Sequence, residues 1–256
     1  MITRRPHVAL LAASLLLTGC GSGAVASPGQ PAGAAVSETG APASTTTTPS
    51  SPSPAMSAEA ARLELPGLGP KTLAQVPSDA RQAVVVTGRG KNSSKSEVVL
   101  YERTATGWQP GESWPAHNAL KGWSDHHMGG DLRSPIGVFG LTDAGGLLRD
   151  PGTKLTYDQG YGFQSPGTGF EGEPLQGSFD YVIAINYNRQ PGTSPLDWTR
   201  PLGAGRGGGI WLHVDHGGPT HGCVSIAEKH MEQLLRTLDP RLHPVVVMGD
   251  AASLAR

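Results

Sequence analysis

The segment Gly207-Gly208-Gly209-Ile210-Trp211-Leu212-His213-Val214-Asp215-His216-Gly217-Gly218-Pro219-Thr220-His221-Gly222-Cys223-Val224-Ser225-Ile226 opens as a strand and then turns back on itself. With Ile210 to Val214 extended, Ile210, Leu212 and Val214 share one face, and Trp211 and His213 share the other. A histidine therefore projects from a rigid element, away from the aliphatic side. The turn at Gly217-Gly218-Pro219 brings the chain back and sets Cys223 downstream of that histidine. Imidazole beside a lone thiol activates sulfur, because it takes the thiol proton and its charged form stabilises the thiolate. Cys223 is thus a candidate nucleophile. A free cysteine is otherwise most often a small buried core residue, and that alternative is set against three neighbouring histidines and a run of glycines.

Outward from this segment, short β-like runs alternate with Gly, Pro, Asn and Asp punctuation. They are Ala83 to Thr87, Glu97 to Glu102, Gly137 to Leu141, Tyr181 to Ile185, Ile210 to Val214 and Pro244 to Met248. Such a series predicts a mainly β fold, a sandwich or open barrel with one or two short helices and long Gly-rich loops. Pro70 opens a short helix over Lys71 to Gln75, closed by Pro77. From Ile226 to Leu238, Met231, Leu234, Leu235 and Leu238 recur at helical spacing, Ser225 can cap, and Asp239-Pro240 ends the run. The span from Thr142 to Asp180 reads as one long loop carrying Tyr157, Tyr161, Phe163 and Phe170. It is either a lid or binding loop, or an irregular loop packing its own aromatics.

The composition limits the rest. The 256 residues include 36 Gly and 22 Pro, with 37% hydrophobic and 16% charged residues, so a helical bundle built from charged and aliphatic stripes is excluded. A net charge of −1 leaves no basic field for nucleic acid. Arg4 and Arg5 precede an apolar run from Val8 to Leu17, too short to span a bilayer and suited to a secretory leader. Leu17-Thr18-Gly19-Cys20 resembles the lipobox of bacterial lipoproteins, in which the cysteine thiol carries lipid. From Gly21 to about Ala58 the chain is Gly, Ala, Pro, Ser and Thr, with Glu38 its only charge, and has almost nothing to bury. The expected organisation is a leader over 1–19, a lipidated Cys20 with a disordered tether over 20–62, a folded domain over 63–250 and a C-terminal tail over 251–256. Cys20 is then the lipidation site, and the protein is exported and held on the membrane, facing the cell wall.

His213, Asp215, His216 and His221 raise the question of zinc. Adjacent Asp215 and His216 point to opposite sides of an extended segment, and neither H-E-x-x-H nor a paired C-x-x-C is present, so no metal is expected. His126-His127 sit in a Gly-rich loop and read as solvated or hydrogen-bonded.

Thr220-His221-Gly222-Cys223 preceded by His213 resembles the signature of the L,D-transpeptidase (YkuD-type) catalytic domain, a histidine on a strand followed by [S/T]-H-G-C. Gly130-Asp131-Leu132-Arg133-Ser134-Pro135-Ile136-Gly137-Val138-Phe139 is similar to the family's G-D-x-K-T-P-x-G-x-F segment. Asp180-Tyr181-Val182-Ile183-Ala184-Ile185-Asn186-Tyr187-Asn188 is similar to a D-Y-x-x-x-I-x-Y-N strand. The resemblance runs from about Val76 to Gly249. It implies Cys223 as acylated nucleophile, His213 as base, and His221 and Gly222 shaping the loop, with backbone N–H groups around Gly222 and Cys223 as oxyanion hole. It also implies the Val214 carbonyl orienting the base, and Thr220, Ser225, Trp211 and Tyr187 on the substrate. Two departures stand out: the gap from His213 to the motif is short, and Ser225 replaces the usual Asn or Arg.

The implied activity is transfer on peptidoglycan stem peptides without a cofactor, releasing D-alanine and forming a 3→3 cross-link through a thioester. Water or a free amino acid as acceptor gives L,D-carboxypeptidase or exchange activity instead, and an acceptor on a protein gives attachment to the wall. A decayed site leaves a peptidoglycan-binding lipoprotein. Oligomeric state is not legible in the sequence.

Overall fold

The computed structural model of the protein describes residues 64–256, so the leader, Cys20 and the tether lie outside the described residues. Its strands, in chain order, are β1 (Gln82–Gly88), β2 (Lys95–Thr104), β3 (Gly107–His117), β4 (Trp123–Ser124), β5 (Ser134–Pro135), β6 (Gly137–Gly146), β7 (Thr156–Gln159), β8 (Val182–Ile185), β9 (Trp211–Val214), β10 (Val224–Ile226) and β11 (Val245–Asp250). Among the described residues three short helices accompany them, α1 (Pro70–Leu73), α2 (Glu228–Thr237) and α3 (Ala251–Leu254). Among the described residues no helix is long and apolar enough to cross a membrane.

The main sheet runs β11-β1-β2-β3-β10-β9-β8-β6, and β6 pairs back onto β11, closing a ring of eight strands. Closure depends on the length of β6. Its first half, Gly137 to Gly140, is antiparallel to β11, while Leu141 to Gly145 pairs with β8 across an irregularity in register. One long strand thus turns the corner that an open sheet would leave as two edges. The mainly β expectation holds, and β7 extends the sheet beyond the ring, parallel to β6.

Burial follows the pleat. Val84 and Val86 of β1, with Val246 and Met248 of β11, face an apolar core that also holds Leu141, Ile183, Leu212 and Ile226. Ala83, Val85, Val245 and Val247 face a second cluster on the other side, covered by Leu65, Trp108 and Leu254. The helix α2 seats Met231, Leu234 and Leu235, all fully buried, on the first core. Each such side chain contributes about 1.5–3 kcal/mol by leaving water.

Four sequence expectations change. Ser225 lies inside β10, and α2 starts later, with Ala227 at the cap position and no side-chain cap. The span from Thr142 to Asp180 contains the end of β6, all of β7 and a turn of 3-10 helix over Tyr161–Phe163. β3 was hidden by Pro110, Gly111 and Pro115. It meets β10 only at Ala116 and His117, so most of its far edge needs no ladder donors and tolerates proline. Residues 251–256, expected as a tail, include α3, whose Leu254 is buried against Leu65, with the Asp250 carboxylate accepting from Ser253 N.

The loop after β8 is tied down by a buried ion pair, Arg189 Nη1 to Asp143 Oδ2 at 2.7 Å. Arg189→Ala leaves the Asp143 carboxylate buried without its counter-charge, which costs about 3–5 kcal/mol. Urea unfolding of Arg189→Ala checks this, and a change below about 1 kcal/mol contradicts it.

Candidate active site

β9 and β10 are parallel, with Val224 opposite Leu212 and Ser225 opposite His213. Cys223 immediately precedes β10, so the strand pairing brings it beside Trp211. The Trp211 N–H points to Cys223 Sγ at 3.4 Å, and the thiol points to the Gly209 carbonyl at 3.6 Å. The Cys223 carbonyl accepts from Thr220 Oγ1 at 2.7 Å and from Ser134 Oγ at 3.4 Å. Thr220 is itself anchored, its N–H donating to Asn118 and its carbonyl accepting from Leu120 N. The loop is therefore held at its backbone by side chains from two of the three stretches that carried the resemblance. Gly222 is buried, and a Cβ there would come within 2.9 Å of Ile210 Cδ1. The turn bonds that hold the loop use neither the Gly222 nor the Cys223 N–H.

His213 Nδ1 lies 2.9 Å from the Val214 carbonyl oxygen. A carbonyl only accepts, so Nδ1 carries the proton and Nε2 is left as an acceptor. The ring is fixed on two sides: Phe179 meets it edge-on at 5.3 Å and His216 stacks on it at 5.8 Å, nearly parallel. His216 in turn is held by Glu173, Nδ1 to Oε1 at 3.2 Å. Burial pushes His213 down to about 4, against the opposing bond to Val214. Burial likewise pushes Cys223 up to about 11, against the Trp211 N–H. At pH 7 the resting pair is a neutral imidazole and a neutral thiol.

Cys223 and His213 open into one cavity of about 230 Å³, with His216, His221, Thr220 and Ser178 in its wall. His221 is exposed and carries Phe170 against its ring at 4.5 Å. A second cavity of about 190 Å³ also reaches Cys223 and is walled by Trp211, Trp198 and Leu196. Cys223 thus lines both cavities.

Two expected substrate residues are elsewhere. Ser225 is fully buried and donates to Asp215 Oδ1 at 2.7 Å, an oxygen that also lies 2.8 Å from His117 Nδ1. Its side chain is short enough to remain beneath the sheet surface, where an Asn or Arg would extend further. Tyr187 is buried as well, its hydroxyl within 3.1 Å of the His127 carbonyl and 2.9 Å of the Arg206 carbonyl. It braces the loop leading into β9, together with Asn188, which bonds Gly203 and Gly207. Thr220 and His221 line the first cavity and Trp211 the second, and Gly222 directly precedes Cys223.

Sequence reasoning missed Glu173, Phe179 and Ser134. Glu173 had no local signal, since its partner His216 is distant in the chain and the two meet only when the loop folds over β9. Among the described residues, no group of three or more His, Cys, Asp or Glu is placed to hold a metal ion. Asp215 turns to His117 and Ser225, and His216 turns to Glu173. His127 is buried edge-on against Tyr187, and His126 is exposed.

A search of curated proteins finds no match. Among solved structures, the chain is similar to that of Bd1075 from Bdellovibrio bacteriovorus, at 16% identity and a TM-score of 0.36. That similarity covers 73% of this chain and 54% of the other, so the chain spans about half the length of that protein. Residues 78–247 match the YkuD family, the L,D-transpeptidase catalytic domain. With a match over well more than half its length, extending across β9, the loop and β10, the chain belongs to the YkuD family of L,D-transpeptidase catalytic domains.

Proposed function

We propose that the protein is a cysteine-dependent transpeptidase of peptidoglycan stem peptides, with Cys223 as nucleophile and His213 as base. The observation that carries this reading is a thiol and an imidazole opening into one cavity, the imidazole bound through Nδ1 so that Nε2 accepts. As sulfur attacks the carbonyl carbon after the third stem residue, Nε2 takes the thiol proton. The tetrahedral oxyanion is held by the N–H groups of Gly222 and Cys223. Collapse breaks the C–N bond, and His213 returns the proton to the leaving D-alanine amine, leaving a thioester on Cys223. A side-chain amine of a second stem then attacks the thioester and gives up its proton to His213. The 3→3 amide forms and the proton returns to sulfur.

One feature supports an amine acceptor. The two cavities that reach Cys223 offer room for a donor and an acceptor. Incubation with disaccharide-tetrapeptide, followed by mass spectrometry, tests the reading. A dimer lighter by one D-alanine supports it, tripeptide alone assigns the acceptor as water, and unchanged substrate contradicts it.

The lipobox-like Leu17-Thr18-Gly19-Cys20 and the Pro/Ser/Thr-rich stretch after it support a membrane anchor and stalk holding the domain near the wall. Several acyl chains are needed for firm attachment, since one binds only marginally. Cys20→Ala is expected to move the protein from the membrane pellet to the soluble fraction. Continued sedimentation with membranes contradicts lipidation as the anchor.

A further inference from the structure

Arg200 forms part of the wall of the 190 Å³ cavity that reaches Cys223. The other lining residues named for that wall, Trp211, Trp198 and Leu196, together with Pro195 and Phe179, are apolar. The side-chain hydrogen bonds of Arg200 all leave through Nη1, to the carbonyls of Asp197 and Thr199, both at 2.9 Å. Among the described residues, Nε and Nη2 have no acceptor and the guanidinium forms no ion pair. The nearest acidic group, Asp197, turns its Oδ1 to the Thr199 N–H at 2.8 Å. Trp198 lies under the guanidinium, with 5.2 Å from Cζ to the ring centroid.

The glycine run before β9 is fitted to this arginine. Gly208 has φ +141°, and a Cβ there would collide with Arg200 Nε and Cδ. The backbone must therefore be bare where the guanidinium lies against it. Nε and Nη2 form the edge of arginine that binds a carboxylate through two parallel hydrogen bonds. An otherwise apolar cavity with one open cationic fork is built to orient a single anionic group.

We propose that Arg200 is the residue that binds a carboxylate of the donor stem peptide as it is presented to Cys223. The proposal rests on the stem-peptide chemistry above and adds the group that is recognised. Two carboxylates of a stem are candidates: the C-terminal one of the fourth residue and the one on the side chain of a diaminopimelate third residue. Both present the same planar anion to the fork.

The test uses four tetrapeptide donors, with lysine or diaminopimelate at position three and a free or amidated C-terminus, and measures release of the fourth residue. For the wild type, kcat/KM is expected to fall about 10- to 100-fold when the recognised carboxylate is absent, the effect of losing one charged hydrogen-bonded contact. A drop on amidation identifies the C-terminal group; a drop from diaminopimelate to lysine identifies the side chain. Arg200→Gln is expected to show the lower value for donors with that carboxylate and no change for donors without it. Arg200→Lys, which restores charge without the fork, falls between.

An equal loss on all four donors in Arg200→Gln overturns the proposal, because it signals damage to the fold. No preference among donors in the wild type also overturns it, while leaving the transpeptidase reading intact. Absence of turnover of every donor by the wild type overturns both.

Discussion

Cys223→Ala is expected to abolish transfer and hydrolysis together, with a loss on the order of a million-fold in kcat. The size follows from the role: without sulfur there is no thioester, and each half-reaction loses its covalent intermediate. The substitution removes one atom from a half-buried site. The contacts that shape the loop run through the Cys223 carbonyl, held by Thr220 and Ser134, and are untouched. Thermal unfolding should therefore shift little while activity vanishes, which separates chemistry from folding. Residual turnover within a hundredfold of wild type would remove Cys223 from the role of nucleophile.

His213→Ala is the second large effect, and its size can be argued from the titration of the thiol. With the thiol pushed up to about 11, only about one molecule in ten thousand carries thiolate at pH 7 without a base to take the proton. The variant should therefore lose about 10³- to 10⁴-fold at pH 7. Its rate should then climb about tenfold per pH unit toward 11. The wild type behaves differently, since its base is neutral and competent wherever His213 is unprotonated. His213 is held down to about 4, so protonation rises, and activity falls, as pH drops through about 4, with a plateau above. Parallel pH–rate profiles for the two proteins check this. A variant profile with the same shape as the wild type contradicts the base assignment.

The sequence carried the site better than the fold around it. Alternation in Ile210 to Val214 placed His213 and Trp211 opposite Leu212, because a strand has a strict period of two. The parallel register with β10 then put Cys223 beside Trp211. What it did not carry are contacts made across the fold. Glu173 reaches His216 from a loop, Ser134 reaches the Cys223 carbonyl from another motif, and Arg200 meets Gly208 through space. Ser225 shows the reverse error: its position in the motif suggested substrate contact, whereas its small side chain is buried on Asp215. Closure of the ring was illegible because it depends on β6 continuing past Leu141 through Gly145 and Gly146, residues that read as the start of a long loop. β3 was obscured by prolines that an exposed strand edge accommodates.

The anchoring of Thr220 and Ser134 on one carbonyl and of His213 on another makes the site a preorganised frame, rigid before substrate arrives. Intact-protein mass spectrometry of the domain, quenched in acid soon after mixing with tetrapeptide donor, tests whether Cys223 is acylated. The expected result is a mass increase equal to the donor minus one D-alanine, localised to Cys223 and absent in Cys223→Ala. An unmodified protein alongside consumed donor, or an adduct that persists in Cys223→Ala, contradicts it.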